Sequence, residues 1–321
     1  MSAKPHIVFL DSKTLAPDLD LVRPEAPHDW VTHDRTDKSD VIARLHGADV
    51  AITNKVPIRQ DAIDALPDLR MISVAAAGYD CVDVAACQAR GIVVSVARGY
   101  AVDTVPEHVM TCILALRRNL LGYRAAVIDG AWQRADQFCF FDGQIRDLRG
   151  ATLGLIGAGA IGQGVARLAT AFGMRVLVAA RKGVDTPPPG RTSFDEVLRQ
   201  SDVLTLHAPL TPDTRDLIGP AEFARMDRRP VFINASRGGL VNEAALVAAL
   251  DDGQVSGAAL DVLSVEPPRD GNPLLPLAAR SNVIVTPHIA WASEDAMNRL
   301  WRTCVANIDA FLNGAPTNVV S

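Results

Sequence analysis

Short apolar runs alternate with helix-like stretches along this 321-residue chain, and no other feature narrows the possible folds as far. In the first third the runs lie at residues 7–10, 50–53, 71–75 and 92–96, with helix-like segments such as 61–66 and 82–90 beside them. A second series follows at 152–156, 175–179, 203–207, 231–234, 258–262 and 283–286. Continuous apolar strands separated by helices predict parallel sheets covered on both faces. Two such series predict two α/β domains.

Two helices mark the boundary. Asp103 is placed to cap a helix carrying Val109, Met110, Ile113, Leu114 and Leu116, mostly three or four residues apart. Ser293 is placed to cap another, with Glu294 and Asp295 in the first turn, where the helix dipole favours anions. Its stripe of Met297, Leu300, Trp301, Cys304, Ile308 and Phe311 stops at Gly314 and Pro316. A C-terminal helix of this kind packs back onto the first domain. The expected organisation is residues 1–101 with 290–321 as one domain and 102–289 inserted as the other. The two crossings between them make a hinge.

Composition then excludes several classes. With 48% hydrophobic and 21% charged residues the chain is neither disordered nor fibrous. A net charge of −5 speaks against unspecific binding to nucleic acid or an anionic membrane. Cys81, Cys87, Cys112, Cys139 and Cys304 form no CxxC pair and no zinc spacing, and His6, His28, His33 and His46 lie outside any metal pattern. The reading is a cytoplasmic protein with reduced thiols and no metal, signal peptide or membrane span.

Gly157-Ala158-Gly159-Ala160-Ile161-Gly162 follows the strand at 152–156 and opens a helix with Ile161, Val165, Leu168, Ala169 and Phe172 on its apolar side, stopped by Gly173. In this βαβ setting GxGxxG is a dinucleotide fingerprint rather than an ordinary tight turn. The glycines let backbone N–H groups approach a pyrophosphate, and the helix N-terminus adds positive potential. NAD-binding folds place an acid at the end of the next strand for the ribose 2′-hydroxyl. Here Ala180 stands there, followed by Arg181 and Lys182. A 2′-phosphate is attracted by such a pair, so NADP(H) is expected in preference to NAD(H). If Arg181 and Lys182 are only solvated charges, NAD is used through other contacts.

Three polar groups follow three strands of the second series: Arg237 in Asn234-Ala235-Ser236-Arg237-Gly238, Glu266 after Asp261-Val262, and His288 in Thr286-Pro287-His288. Open α/β sheets bind ligands at these strand ends. Arg237 can grip a carboxylate through two hydrogen bonds. His288 can give and take a proton near neutral pH, and Glu266 can hold the imidazole's orientation. Singly they read as a surface cation, a turn residue before Pro267 and a strand-end histidine. Together, beside the fingerprint, they read as an acid–base site.

These motifs stand in order with Ala76-Ala77-Gly78-Tyr79-Asp80, Asp103-Thr104-Val105-Pro106-Glu107-His108 and His207-Ala208-Pro209-Leu210-Thr211. Over nearly its whole length the chain resembles the D-isomer-specific 2-hydroxyacid dehydrogenase family. Trp132, Phe138-Cys139-Phe140-Phe141-Asp142 and Ala310-Phe311-Leu312-Asn313-Gly314 look most like its glycerate dehydrogenase, or hydroxypyruvate/glyoxylate reductase, branch. The resemblance implies two Rossmann/flavodoxin-like domains with parallel sheets, the nucleotide-binding one inserted into a flavodoxin-like substrate domain, with a cleft between them. It implies hydride transfer between a nicotinamide cofactor and a small 2-keto acid, with catalytic roles for Arg237, Glu266 and His288. It also implies that the N–H groups of Ala77 and Gly78 hold the substrate carboxylate. Thr104 and Asp261 would lie toward the nicotinamide and His207 and Pro209 toward the adenosine, with Ala235 and Ser236 also on the cofactor. A homodimer through the nucleotide-binding domain is the expected assembly.

Asn54, ending a strand of the first domain, faces the substrate or forms a turn. Trp291 walls a pocket for glyoxylate or hydroxypyruvate, or packs at the hinge. The short C-terminus speaks against the regulatory domain of many phosphoglycerate dehydrogenases. Two alternatives stay open. One is an NAD-dependent enzyme for another D-2-hydroxy acid, such as phosphoglycerate or a lactate-like acid. The other is a nucleotide-sensing, co-repressor-like binding protein.

Overall fold

The computed structural model describes residues 4–320. The chain forms two compact units, one of residues up to 100 with those from 292 onward, the other of residues 101–291.

The first unit is built on a five-stranded parallel sheet of β1 (His6–Phe9), β2 (Asp29–Thr32), β3 (Val50–Thr53), β4 (Met71–Val74) and β5 (Val93–Val96), in the order β2-β1-β3-β4-β5. This is the flavodoxin-like order. β3 and β4 are buried along their whole length, as two covered faces require. One face carries Val41, Leu45, Ile58, Ile63 and Leu66 from the helices and loops between strands. The helix Glu294–Leu312 covers the other, capped by Ser293 Oγ accepting from Ala296 N–H at 3.2 Å. Ser73 Oγ of β4 lies 3.0 Å from Cys304 Sγ, and Asn307 Nδ2 donates to the Val96 carbonyl at 3.1 Å. Trp301 stacks on Phe9 with centroids 5.1 Å apart.

The second unit holds six parallel strands, β6 (Thr152–Ile156), β7 (Arg175–Val178), β8 (Val203–Leu206), β9 (Val231–Asn234), β10 (Gly257–Leu260) and β11 (Val283–Val285). Their order is β11-β10-β9-β8-β6-β7. The chain leaves β6 toward β7 on one side and returns to β8 on the other. The switch point of this sheet therefore lies between β6 and β8, where such folds take their ligands. No helix among the described residues is long and apolar enough to cross a membrane.

Several expectations need correction. β2 is not among the expected strands. It is an edge strand with three of four residues exposed, so it carries no apolar run. Several expected strands end sooner: Leu10, Ala75, Ala179, His207 and Thr286 keep their N–H groups on the neighbouring strand but already belong to the loops beyond. Asp103 does precede the helix Thr104–Arg117, but its carboxylate caps nothing. Its φ of −102° and ψ of −50° are helical, and a capping side chain needs an extended backbone to reach back to the first N–H groups. Phe172 lies past the end of its helix and is exposed rather than part of the apolar stripe.

Candidate functional site

The glycine turn joins β6 to the helix Ala160–Ala171. Gly157 has φ +96°, a left-handed conformation that favours glycine. A Cβ there would overlap the His207 carbonyl at the end of β8, and one on Gly162 would overlap the Gly157 carbonyl. Those two glycines are required by the protein's own packing. Gly159 is different: its φ is −68°, and a Cβ would meet nothing within 4 Å. The turn thus leaves open space above the N-terminus of a twelve-residue helix whose first turn lacks a side-chain cap. Gly157, Gly159, Ala160, Ile161 and Gly162 fit a dinucleotide pyrophosphate held by backbone N–H groups.

At the end of β7, Ala180 is buried and its N–H donates to Thr192 O at 2.8 Å. Arg181 is exposed. Lys182 does not stand beside it as a second unengaged cation. Its Nζ lies 2.9 Å from Oε1 of the buried Glu222, whose Oε2 accepts from Gly219 N–H at 3.0 Å. Nothing local to Lys182 signals this partner forty residues on.

The loop after β8 carries His207 and Pro209. His207 Nε2 lies 3.0 Å from Thr205 Oγ1, and Ser236 Oγ donates to the Ala208 carbonyl at 2.8 Å. This contact ties the 207–209 loop to the 235–237 loop after β9. Asn234, almost wholly buried, braces the latter: Nδ2 donates to Arg237 O at 2.9 Å and Oδ1 accepts from Ser236 N–H at 3.1 Å. Arg237 is half-buried, and its Nη1 donates to Ser236 O at 2.8 Å. A Cβ on Gly238 would overlap the Leu263 carbonyl, so the Arg237 loop lies directly on the loop that leads to Glu266.

Glu266 and His288 meet. His288 Nδ1 lies 2.6 Å from Glu266 Oε2, and Oε1 accepts from Leu263 N–H at 2.9 Å. With Nδ1 carrying the hydrogen to the carboxylate, Nε2 is the nitrogen left to exchange a proton. His288 has φ +56°, unusual for a residue with a Cβ. Asp261 holds it there. This carboxylate accepts from Thr286 Oγ1 at 2.6 Å, Ile289 N–H at 2.8 Å and Ala290 N–H at 2.8 Å, while its own carbonyl accepts from His288 N–H at 2.8 Å. Thr104 Oγ1 donates to Ala290 O at 3.3 Å, and Trp291 Nε1 to His288 O at 2.9 Å. Asp261, Thr104 and Trp291, expected beside cofactor or substrate, all buttress the histidine loop. His108 Nε2, 3.4 Å from Thr286 Oγ1, touches the same network from the helix Thr104–Arg117.

In the first unit, Asn54, Ala77 and Gly78 lie at the carboxyl edge of the five-stranded sheet, after β3 and β4. The N–H groups of Ala77 and Gly78 have no acceptor among the described residues.

Comparison with known proteins bears on this geometry. Residues 110–290 match the family profile described as D-isomer specific 2-hydroxyacid dehydrogenase, NAD binding domain. The chain is 47% identical over 316 residues to a glycerate dehydrogenase of Methylorubrum extorquens, with 98% of each chain covered. It is 36% identical to a hydroxypyruvate reductase of Blautia hydrogenotrophica, covering 98% of this chain and 99% of that one. Among solved structures, an NADPH-dependent glyoxylate/hydroxypyruvate reductase of Sinorhizobium meliloti superposes with a TM-score of 0.81 at 28% identity, covering 99% of this chain and 98% of that one.

Burial pushes the His207 imidazole down to about 4, so the native state keeps it neutral while the unfolded chain protonates it near 6.5. A lowered histidine pKa stabilises the fold fully above pH 6.5, and that contribution is lost as the pH falls toward 4. At the limit this amounts to about 3 kcal/mol. Thermal unfolding of wild type and His207→Gln across pH 4–8 tests it. The melting temperature of wild type relative to the variant is expected to drop by several degrees from about pH 7 to pH 4, and a constant offset would contradict the assignment.

Proposed function

The chain belongs to the D-isomer-specific 2-hydroxyacid dehydrogenase family and is an oxidoreductase, and from that premise we propose that it reduces hydroxypyruvate to D-glycerate and glyoxylate to glycolate, with NADPH preferred to NADH. The observation that carries this reading is the 2.6 Å contact between Glu266 and His288 on a buttressed loop, with the Arg237 loop packed against the segment leading to Glu266.

A nicotinamide dinucleotide, when bound, supplies the hydride for reduction or accepts it for oxidation. The chain's own residues do the rest. Arg237 binds the substrate carboxylate and orients the keto group. His288, protonated on both nitrogens, donates from Nε2 to the keto oxygen as negative charge develops there. Glu266 keeps Nδ1 as the hydrogen-bonded nitrogen and offsets the positive charge of the doubly protonated ring. In the oxidative direction neutral His288 takes the hydroxyl proton at Nε2.

The cofactor preference rests on the residues just beyond β7. Ala180 removes the acid that would repel a 2′-phosphate, and exposed Arg181 offers a guanidinium fork for it. With Lys182 paired to Glu222, Arg181 carries most of the discrimination.

The assembly we infer is a homodimer through the second unit. The helix Leu120–Ile128 buries none of its residues. The segment from it through residue 141 exposes Leu120 at 59%, Ile128 at 69%, Trp132 at 54%, Phe138 at 87% and Phe141 at 81%. A cluster of this size on one segment marks an interaction surface.

Three measurements test these readings. His288→Gln is expected to lose about 10²–10⁴ in kcat with hydroxypyruvate, and Arg237→Ala to suffer in both kcat and KM; near wild-type turnover by His288→Gln refutes the acid–base assignment. Arg181→Ala is expected to lower kcat/KM for NADPH about tenfold to hundredfold and to leave NADH nearly unchanged, whereas a wild-type enzyme that favours NADH overturns the preference. Light scattering should give twice the 34.3 kDa chain mass for wild type and a smaller particle for Phe138→Asp/Phe141→Asp; a monomeric wild type contradicts the dimer.

A further inference from the structure

At the carboxyl edge of the five-stranded sheet, Asn54 is only 3% exposed, and its side-chain amide makes no hydrogen bond among the described residues. It is not a turn-forming asparagine. Its turn is held by another residue: the buried Asp11 carboxylate accepts from Asn54 N–H at 2.9 Å, Lys55 N–H at 2.7 Å and Val56 N–H at 3.3 Å. Cys81 Sγ donates to the Asn54 carbonyl at 3.7 Å. Backbone and turn are thus satisfied without the amide. Nor is the amide sealed in the core, because the fully enclosed, unpaired side-chain atom among the described residues is Arg117 Nε. A nearly covered amide with no protein partner is costly unless something else pairs with it. Nothing in the packing of this unit explains why position 54 is not an apolar residue.

β4 is the neighbour of β3, and just beyond it Ala77 and Gly78 present N–H groups without acceptors. Two consecutive N–H donors without acceptors suit a carboxylate. An amide, which both donates and accepts, suits a hydroxyl, which does the same. Adjacent strands lie about 4.8 Å apart, comparable to the separation of the carboxylate and the terminal hydroxyl in a three-carbon 3-hydroxy-2-keto acid.

We propose that Asn54 recognises the 3-hydroxyl of the substrate and so selects hydroxypyruvate, or D-glycerate in reverse, over pyruvate and glyoxylate. The inference rests on the reaction assigned above and specifies its substrate. A site built to hydrogen-bond a hydroxyl discriminates strongly against the analogue that lacks it, because its own polar group is then left unpaired.

The test is kcat/KM for hydroxypyruvate, pyruvate and glyoxylate, measured on wild type, Asn54→Leu and Asn54→Ala. Two substrates compared on one preparation give a ratio independent of the folded fraction. Wild type should prefer hydroxypyruvate to pyruvate by about 10²-fold or more. In both variants hydroxypyruvate should lose about tenfold or more, mainly through KM, while pyruvate and glyoxylate stay within about threefold, so that the preference collapses. A ratio that survives substitution, or an equal loss on all three substrates, overturns the inference while leaving the reaction class standing. A wild-type enzyme inert toward all three overturns the reaction assignment and this inference with it.

Discussion

Asp261 sets a carboxylate, 3% exposed, inside the carboxyl edge of the six-stranded sheet, and three donors of the following loop converge on it. A buried ion without a cation is costly unless hydrogen bonds replace its water. The Thr286 hydroxyl and the N–H groups of Ile289 and Ala290 do so here. In return they bend the chain so sharply that His288 takes a left-handed conformation, a strain of about 1–3 kcal/mol. The bend is over-determined, since Thr104 and Trp291 hold the same loop from two other directions. The direction of the imidazole is therefore a property of this unit's own core, settled before any ligand arrives. Preorganisation of this kind lets a proton donor act without reorganising during the reaction.

The same logic runs through the neighbouring loops, each of which rests on the backbone of another. Gly157 abuts the His207 carbonyl, and Ser236 binds the Ala208 carbonyl. Gly238 lies on the Leu263 carbonyl, and Leu263 N–H holds the Glu266 carboxylate that holds His288. The glycines at 157 and 238 are thus spacers that let one loop rest on the next. A single added methyl at either one would displace a neighbouring loop together with the polar group it carries. The turn that fits the pyrophosphate and the loops that carry Arg237, Glu266 and His288 form one mechanical unit along the sheet edge.

Much of this is readable from residue order, and the unread parts share a cause. Parallel strands announce themselves as apolar runs, so ten of the eleven among the described residues are legible in the sequence; β2 is not, because an exposed edge strand carries no such run. The polar residues at strand ends are legible because a parallel sheet delivers its loops to one edge whatever their sequence. What sequence does not carry is the partner of each group. Nothing in the spacing pairs Lys182 with Glu222, or sets the oxygens of Asp261 to brace 286–290. Asp103 looks like a cap, yet its helical dihedrals turn the carboxylate away from the first turn. What is missed is in each case a long-range contact or a local dihedral, which spacing along the chain does not encode.

Asp11 and Asp261 show why aspartate suits these edges. Both follow a strand of a parallel sheet, both are 3% exposed, and both take N–H groups from a loop beyond a neighbouring strand. A loop leaving the carboxyl edge carries N–H groups that no longer fit the ladder. Without acceptors they would be buried orphans or would have to turn toward solvent. An aspartate on the adjacent strand end is short enough to stay inside the edge and offers several acceptor positions to one loop. For Asp11 the burial outweighs its three N–H donors and raises the carboxyl above its ordinary range. The loop each aspartate gathers keeps a polar group that the aspartate does not use: the side-chain amide of Asn54 in one unit, Nε2 of His288 in the other. Dividing the work in this way lets a core carboxylate set the geometry while a polar side chain of the same loop keeps its hydrogen-bonding capacity.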